Sequence, residues 1–199
     1  MGVAFRFHRG LKFFMGKICV SKNLVEYFKR DNIIVEYKGI RMSNIDLSKG
    51  IKMNLEEIVK VIESQGIRLV ICRGIPGSGK STFAKKLPGF LHLETDMYWH
   101  KNPLNEYRYD ASKIYDAHKW CQGEVKQQLK WKKNVAVSNT FTTLKEFKEY
   151  ELMSEELKVP MLVVKCVGEW KDVHGVPEEA LVRMRSRWVD YPGELTYTV

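Results

Sequence analysis

Eight consecutive residues, Gly74-Ile75-Pro76-Gly77-Ser78-Gly79-Lys80-Ser81, have the types and spacing needed to hold a string of phosphates. Glycines let the backbone turn tightly around an anion, so that successive N–H groups point inward at it. Lys80 can then reach the β- and γ-phosphates as a point charge, while the Ser81 hydroxyl can ligate Mg²⁺. Residues 74 to 81 match the pattern G-x-x-x-x-G-K-[ST] without a mismatch, and Thr82 follows as a further candidate nucleotide contact. It reads as a nucleoside triphosphate site.

Such a loop works only between a strand and a helix, and both are legible. Residues 66 to 73 form a short apolar run of strand length, and residues 81 to 87 fit a helix that Pro88-Gly89 stops. Strand, loop, helix is the required order, and it sets the helix N-terminus against the phosphates. Residues 90 to 95 read as a second strand that ends at Asp96. Functional groups collect at the carboxyl ends of strands in open α/β sheets, which makes Asp96 a candidate. A helix is predicted over residues 112 to 131, with Ile114, His118, Cys121, Val125 and Leu129 along one face. Residues 134 to 138 form a third strand that delivers Ser138-Asn139-Thr140 to the same edge. Thr143 caps the next helix, residues 159 to 167 form a fourth strand, and Pro177 opens a last helix bearing Arg183, Arg185 and Arg187. This alternation predicts an α/β fold, a mainly parallel sheet flanked by helices with right-handed crossovers.

The 199 residues leave room for one such domain and a small addition, and 44% apolar content can supply a core. No run of about 18 apolar residues occurs, so no membrane-spanning helix is expected. The N-terminal stretch lacks the uninterrupted apolar core of a secretory signal. Cys19, Cys72, Cys121 and Cys166 stand far apart with no C-x-x-C pair, the pattern of reduced cysteines in an intracellular, cytoplasmic protein. Residues 1 to 53 hold 11 Lys/Arg against 4 Asp/Glu, a net of +7 out of the chain's +9. They read as a basic, β-rich appendage, with a hairpin turning near Lys38-Gly39. The helix capped by Asn54 opens the second unit, residues 54 to 199. A basic front end beside a phosphate-handling domain favours a polyanionic partner, with nucleic acid first. A solvated basic face is the other reading of the same charge.

With these pieces in order, residues 68 to 188 resemble the P-loop kinases of the polynucleotide kinase type. The branch is the one that includes the NEDD4-binding-protein-2-like proteins and phage DNA kinases. The matching stretches are residues 73 to 82, Glu94-Thr95-Asp96-Met97-Tyr98, residues 117 to 122, Val137-Ser138-Asn139-Thr140 and Val173-His174-Gly175-Val176-Pro177. The resemblance implies transfer of the γ-phosphoryl group of ATP, with Mg²⁺, to a hydroxyl, with Asp96 as general base. It also implies that Asn139 and Thr140 assist the metal, its water shell or the acceptor. Asn139 stands where many relatives have Asp, which leaves Ser81 as the metal ligand that carries most weight. Lys171 and His174 fall in the lid segment, with Arg183 and Arg187 on the following helix within reach of it. Trp99 stands where polynucleotide 5′-kinases place an arginine, and a Trp there can stack on a terminal or flipped base. His118 is open to two roles, a satisfied core histidine or an acceptor-binding one.

The expected activity is a nucleic-acid hydroxyl kinase, with DNA favoured. Its acceptor is a 5′-hydroxyl end or a hydroxymethyl group on a modified base. Two alternatives stand beside it: a small-molecule or nucleotide kinase on the same fold, and a catalytically weak nucleotide-binding switch or adaptor.

Overall fold

The computed structural model describes residues 3–6, 12–15, 35–37, 40–42, 51–100, 106–170 and 175–198. Six parallel strands form the main sheet. They are β5 (Ile51–Met53), β6 (Leu69–Arg73), β7 (Phe90–Leu93), β8 (Asn134–Asn139), β9 (Met161–Cys166) and β10 (Leu195–Tyr197). Their order across the sheet is β5-β10-β9-β6-β8-β7, so the strand that carries the phosphate loop lies near the middle. The earlier strands β1 (Val3–Arg6) and β2 (Lys12–Met15) pair antiparallel, as do β3 (Val35–Tyr37) and β4 (Ile40–Met42). Tyr37 faces Ile40 across the second pair, and the expected turn at Lys38-Gly39 lies outside the described residues.

The sheet is covered on both sides because its strands bury alternate residues on opposite faces. Val70 and Cys72 of β6 face a cluster that includes Ile58, Val61 and Ile62 of α1 (Leu55–Gln65) and Phe83 and Ala84 of α2 (Lys80–Lys86). Leu69 and Ile71 face the other side. There they meet Cys121, Val125 and Leu129 of α3 (Ile114–Lys130) and Tyr150 and Met153 of α4 (Lys148–Glu156). The predicted α/β class with a parallel sheet is therefore the observed one.

Local signals set the helix ends. Asn54 Oδ1 accepts from Glu57 N–H at 3.0 Å while Glu57 Oε2 accepts from Asn54 N–H at 2.8 Å, a reciprocal cap; Gly66 closes α1 at φ 60°. Thr143 and Glu146 repeat the device before the short 3-10 helix Leu144–Phe147. The last helix, α5 (Glu178–Ser186), follows Pro177 and buries none of its residues.

Three elements differ from the sequence reading. The second strand stops at Leu93, and Asp96 sits in a 3-10 turn, Thr95–His100. The main sheet takes in residues 51 to 53 as an edge strand, ahead of the predicted boundary at 54. The tail forms β10, between β5 and β9, with Leu195 only 1% exposed.

Candidate active site

Phosphate loop and helix meet as the residue types demand. Gly77 and Gly79 take φ values of 78° and 80°, a left-handed conformation that costs glycine nothing. Gly74 has a different reason to be glycine: a Cβ there would collide with the Ser78 side chain and come within 2.9 Å of the Cys166 carbonyl oxygen. Its N–H is fixed by the Thr140 carbonyl oxygen at 3.2 Å. Lys80 is the first residue of α2, and no side chain caps that helix. Burial pushes the Cys166 thiol up to about 12, against the pull of the Lys80 ammonium.

Beside the loop lies a network of four polar side chains. Glu94 Oε2 accepts from the Ser81 hydroxyl at 2.7 Å and from the Ser138 hydroxyl at 2.8 Å. Each serine has one proton to give, so their mutual contact of 3.2 Å is not a further donated bond. His92 Nε2 lies 2.7 Å from Ser138 Oγ and 3.3 Å from Glu94 Oε2, and the set is satisfied when Nε2 carries the hydrogen. Burial alone would raise the Glu94 carboxyl. Hydrogen bonds from His92, Ser81 and Ser138 outweigh it and hold the group at about 2.

Sequence reasoning missed this carboxylate. The signal was present, since His92 and Glu94 are polar residues two apart at a strand end and so share a face. The loss of acidic support assumed from Asn139 is thus made good from the neighbouring strand: Glu94, with Ser138, faces the Ser81 hydroxyl.

Asn139 has a different task. Its Oδ1 accepts the Thr95 N–H at 2.9 Å and so fixes the entry to the turn that carries Asp96. Thr140 contributes its carbonyl to the start of the loop. Asp96 is half-buried, and the Thr95 hydroxyl lies 3.4 Å from His118 Nδ1. Partial desolvation of the ring on its Thr95 side lowers the His118 pKa although the residue as a whole is open to solvent, while the carboxylates of Glu146 and Asp96 pull it up, so this imidazole stands within electrostatic reach of Asp96.

Two expectations are corrected. His118 is not a core histidine; the buried face of α3 is Ala117, Cys121, Val125 and Leu129, and His118 and Ile114 are exposed. Trp99 is not offered to an acceptor. It is 4% exposed and packed edge-on between Tyr98 and Tyr109, with ring centroids 5.1 Å away on each side. The aromatics that do reach solvent near this turn are Tyr107 (40%), Tyr109 (57%) and Tyr115 (68%). Arg183 and Arg187 are exposed, on and just after α5. Lys171 and His174 lie outside the described residues.

The donor set fits the groups that the loop pattern implies. Ser78 Oγ is buried inside the loop with no hydrogen-bond partner, an orphan of the kind a bound polar ligand or water would satisfy. Ser81 and Glu94 supply hard oxygen donors of the class Mg²⁺ prefers, and that ion needs only one or two from protein beside phosphate and water. Among the described residues no group of three or more His, Cys, Asp or Glu side chains gathers as a metal cage.

The strand-loop-helix unit and the residues at the strand ends coincide with the reach of a family model described as an AAA domain, which matches residues 69–174. The chain belongs to that family. It is an AAA-domain P-loop protein, and its likeness to the P-loop kinases of the polynucleotide kinase type is borne out. Among curated proteins, human NEDD4-binding protein 2 is 32% identical over 133 residues, 60% of this chain and 7% of that protein. The chain therefore spans only a small part of that relative. Among solved structures, a sugar kinase from Janibacter sp. HTCC2649 aligns over 66% of this chain and 84% of its own, at 14% identity and a TM-score of 0.45. A chain of the Pnkp1/Rnl/Hen1 RNA repair complex aligns over 64% of this chain and 40% of its own, at 20% identity and a TM-score of 0.42.

Proposed function

We propose that the protein is an ATP- and Mg²⁺-dependent kinase that moves the γ-phosphoryl group to a hydroxyl carried by nucleic acid, with DNA favoured. The acceptor is a 5′-terminal hydroxyl or a hydroxymethyl group on a modified base. The observation that carries phosphoryl transfer is the ionised Glu94 bonded to the Ser81 hydroxyl at 2.7 Å beside a complete phosphate loop. With its proton held by Glu94, the Ser81 oxygen keeps a lone pair to offer a cation. Mg²⁺ bound there would neutralise charge on the phosphates.

The remaining roles belong to side chains already described. Lys80 and the loop amides stabilise charge that spreads over the transferring group. Asp96 orients the attacking hydroxyl and takes its proton as the new O–P bond forms and the bond to the departing nucleoside diphosphate breaks. Asn139 positions Asp96 through Thr95, and His118 lies at the acceptor side. Support for a polymeric acceptor comes from the basic residues 1 to 53 and from the exposed Tyr107, Tyr109 and Tyr115 near the Asp96 turn. The four-cysteine pattern supports an intracellular site of action.

The test is transfer of labelled γ-phosphate from ATP onto 5′-hydroxyl DNA and RNA, hydroxymethylated DNA and free nucleosides, by wild type and Asp96→Asn. Label on a polymer that the variant fails to produce is the expected result. Label on nucleosides alone would replace this reading with a metabolite kinase. ATP binding without any labelled product would leave a nucleotide-binding switch.

A further inference from the structure

The strand order divides the crevice at the strand ends in two. On one side of β6 lie β8 and β7, which lead to Ser138, Glu94 and the Asp96 turn; on the other lie β9 and β10. A nucleoside triphosphate whose γ-phosphate faces Asp96 must therefore run its α-phosphate and base toward the β9 side. The residues that follow β9 are Val167, Gly168, Glu169 and Trp170.

This segment is fastened to the outside of the phosphate loop. The Gly168 N–H donates to the Ser78 carbonyl at 3.2 Å, and the Trp170 N–H donates to the Gly77 carbonyl at 2.9 Å. The six-membered ring of Trp170 rests on Gly79, where a Cβ would come 2.5 Å from Cζ3, and on Gly168, where a Cβ would meet the same ring atoms. Trp170 as a residue is nevertheless 51% exposed, and Val167 is 42% exposed. A large aromatic side chain is thus seated on two glycines and fixed by its backbone to the loop, yet left half open on the donor side. The core clusters do not use it.

We propose that Trp170 is a stacking platform for the base of the nucleotide whose phosphates the loop holds. The proposal rests on the nucleotide reading of the site given above. Stacking tolerates any base, since every base presents a π-face. A platform of this kind selects nucleotides over bare polyphosphate without choosing adenine over guanine. Because ring and loop are one hydrogen-bonded unit, base and phosphates are gripped by the same rigid piece.

Binding of ATP, GTP and inorganic tripolyphosphate to the full chain, each with Mg²⁺, tests it in wild type, Trp170→Phe and Trp170→Leu. Leucine keeps apolar bulk on the glycines and removes the π-face. The expected result is a loss of ATP and GTP affinity of about ten-fold or more in the leucine variant, with the phenylalanine variant close to wild type. Tripolyphosphate affinity should be the same in all three. Binding of ATP should also change the tryptophan fluorescence of wild type more than that of Trp170→Phe. Unchanged ATP affinity in Trp170→Leu overturns the platform. So does an equal loss of ATP and tripolyphosphate affinity, which would make Trp170 a prop for the loop. If wild type binds neither ATP nor tripolyphosphate, the phosphate-loop reading falls and the platform with it.

Discussion

Glu94 accepts the Ser81 hydroxyl beside the phosphate loop and is held ionised there, so its substitution tests a stability contribution at the proposed metal site. In metal-free protein, the group sits at about 2 against an ordinary 4.5, so the folded state favours its ionised form. That contribution is fully present above about pH 4.5 and is lost as pH falls toward about 2. Chemical denaturation of wild type and Glu94→Gln in EDTA should show the variant less stable at neutral pH, with the gap closing over that acid window. A gap that stays constant down to the acid end would remove the argument. Asn139 makes a different prediction. Removing its side chain leaves the buried Thr95 N–H without its acceptor, at a cost of about 1–3 kcal/mol. Asn139→Ala should lower kcat while leaving the KM for ATP nearly unchanged, because the loop itself does not depend on that bond. An equal rise in the ATP KM would mean that Asn139 serves the nucleotide instead.

Among the elements, β6 does more than carry the loop, because its last residue bolts the C-terminal segment to the sheet. Arg73 is fully buried. Its guanidinium donates to the Phe141 carbonyl from Nε at 2.9 Å and from Nη2 at 2.6 Å, and from Nη2 to the Val189 carbonyl at 2.8 Å. Nη1 meets Glu194 at 2.7 Å, and the Trp188 ring lies 3.9 Å from the guanidinium carbon. Burial still raises the Glu194 carboxyl, against the pull of Arg73 and Lys165. Arg73→Met would leave that buried carboxylate only the Lys165 ammonium, at 3.7 Å, as a cationic partner and would strip the Phe141 and Val189 carbonyls of their donor, and a loss of about 3–5 kcal/mol in unfolding free energy is expected. A loss under about 1 kcal/mol, the value of an exposed pair, would show that the buried pair is not what holds the segment. None of this was legible beforehand, since Arg73 reads only as the residue before a glycine-rich loop. The phosphate loop was legible because its chemistry is local and its glycines are required one by one. Strand β10 was not: Leu195-Thr196-Tyr197 is too short to show a period, and its place between β5 and β9 is decided by partners far away in sequence. Exposure also escaped the reading. Spacing put His118 on the apolar face of α3 and left Trp99 free to stack, whereas tertiary packing turned the first outward and closed over the second.

On the scale of the whole molecule, the formal charge of +9 makes a statement about binding that can be measured without knowing the acceptor sequence. Affinity for a single-stranded 5′-hydroxyl oligonucleotide should fall linearly on a log–log plot against salt, with a slope of about −0.7 for each phosphate neutralised. A flat plot would argue for a small acceptor. The main sheet sets a further consequence. Among the described strands of the main sheet, β5 at residues 51–53 pairs with β10 at residues 195–197 and no other. Chain growth at roughly 5–20 residues per second puts on the order of ten seconds between the two. The loop is fastened by Thr140, Gly168 and Trp170, so it can be complete only once β9 has been made, and the edge of β9 that β10 covers stays bare until the tail follows. During synthesis, that gap is the place where a chaperone, or another copy's strand, would find a free edge.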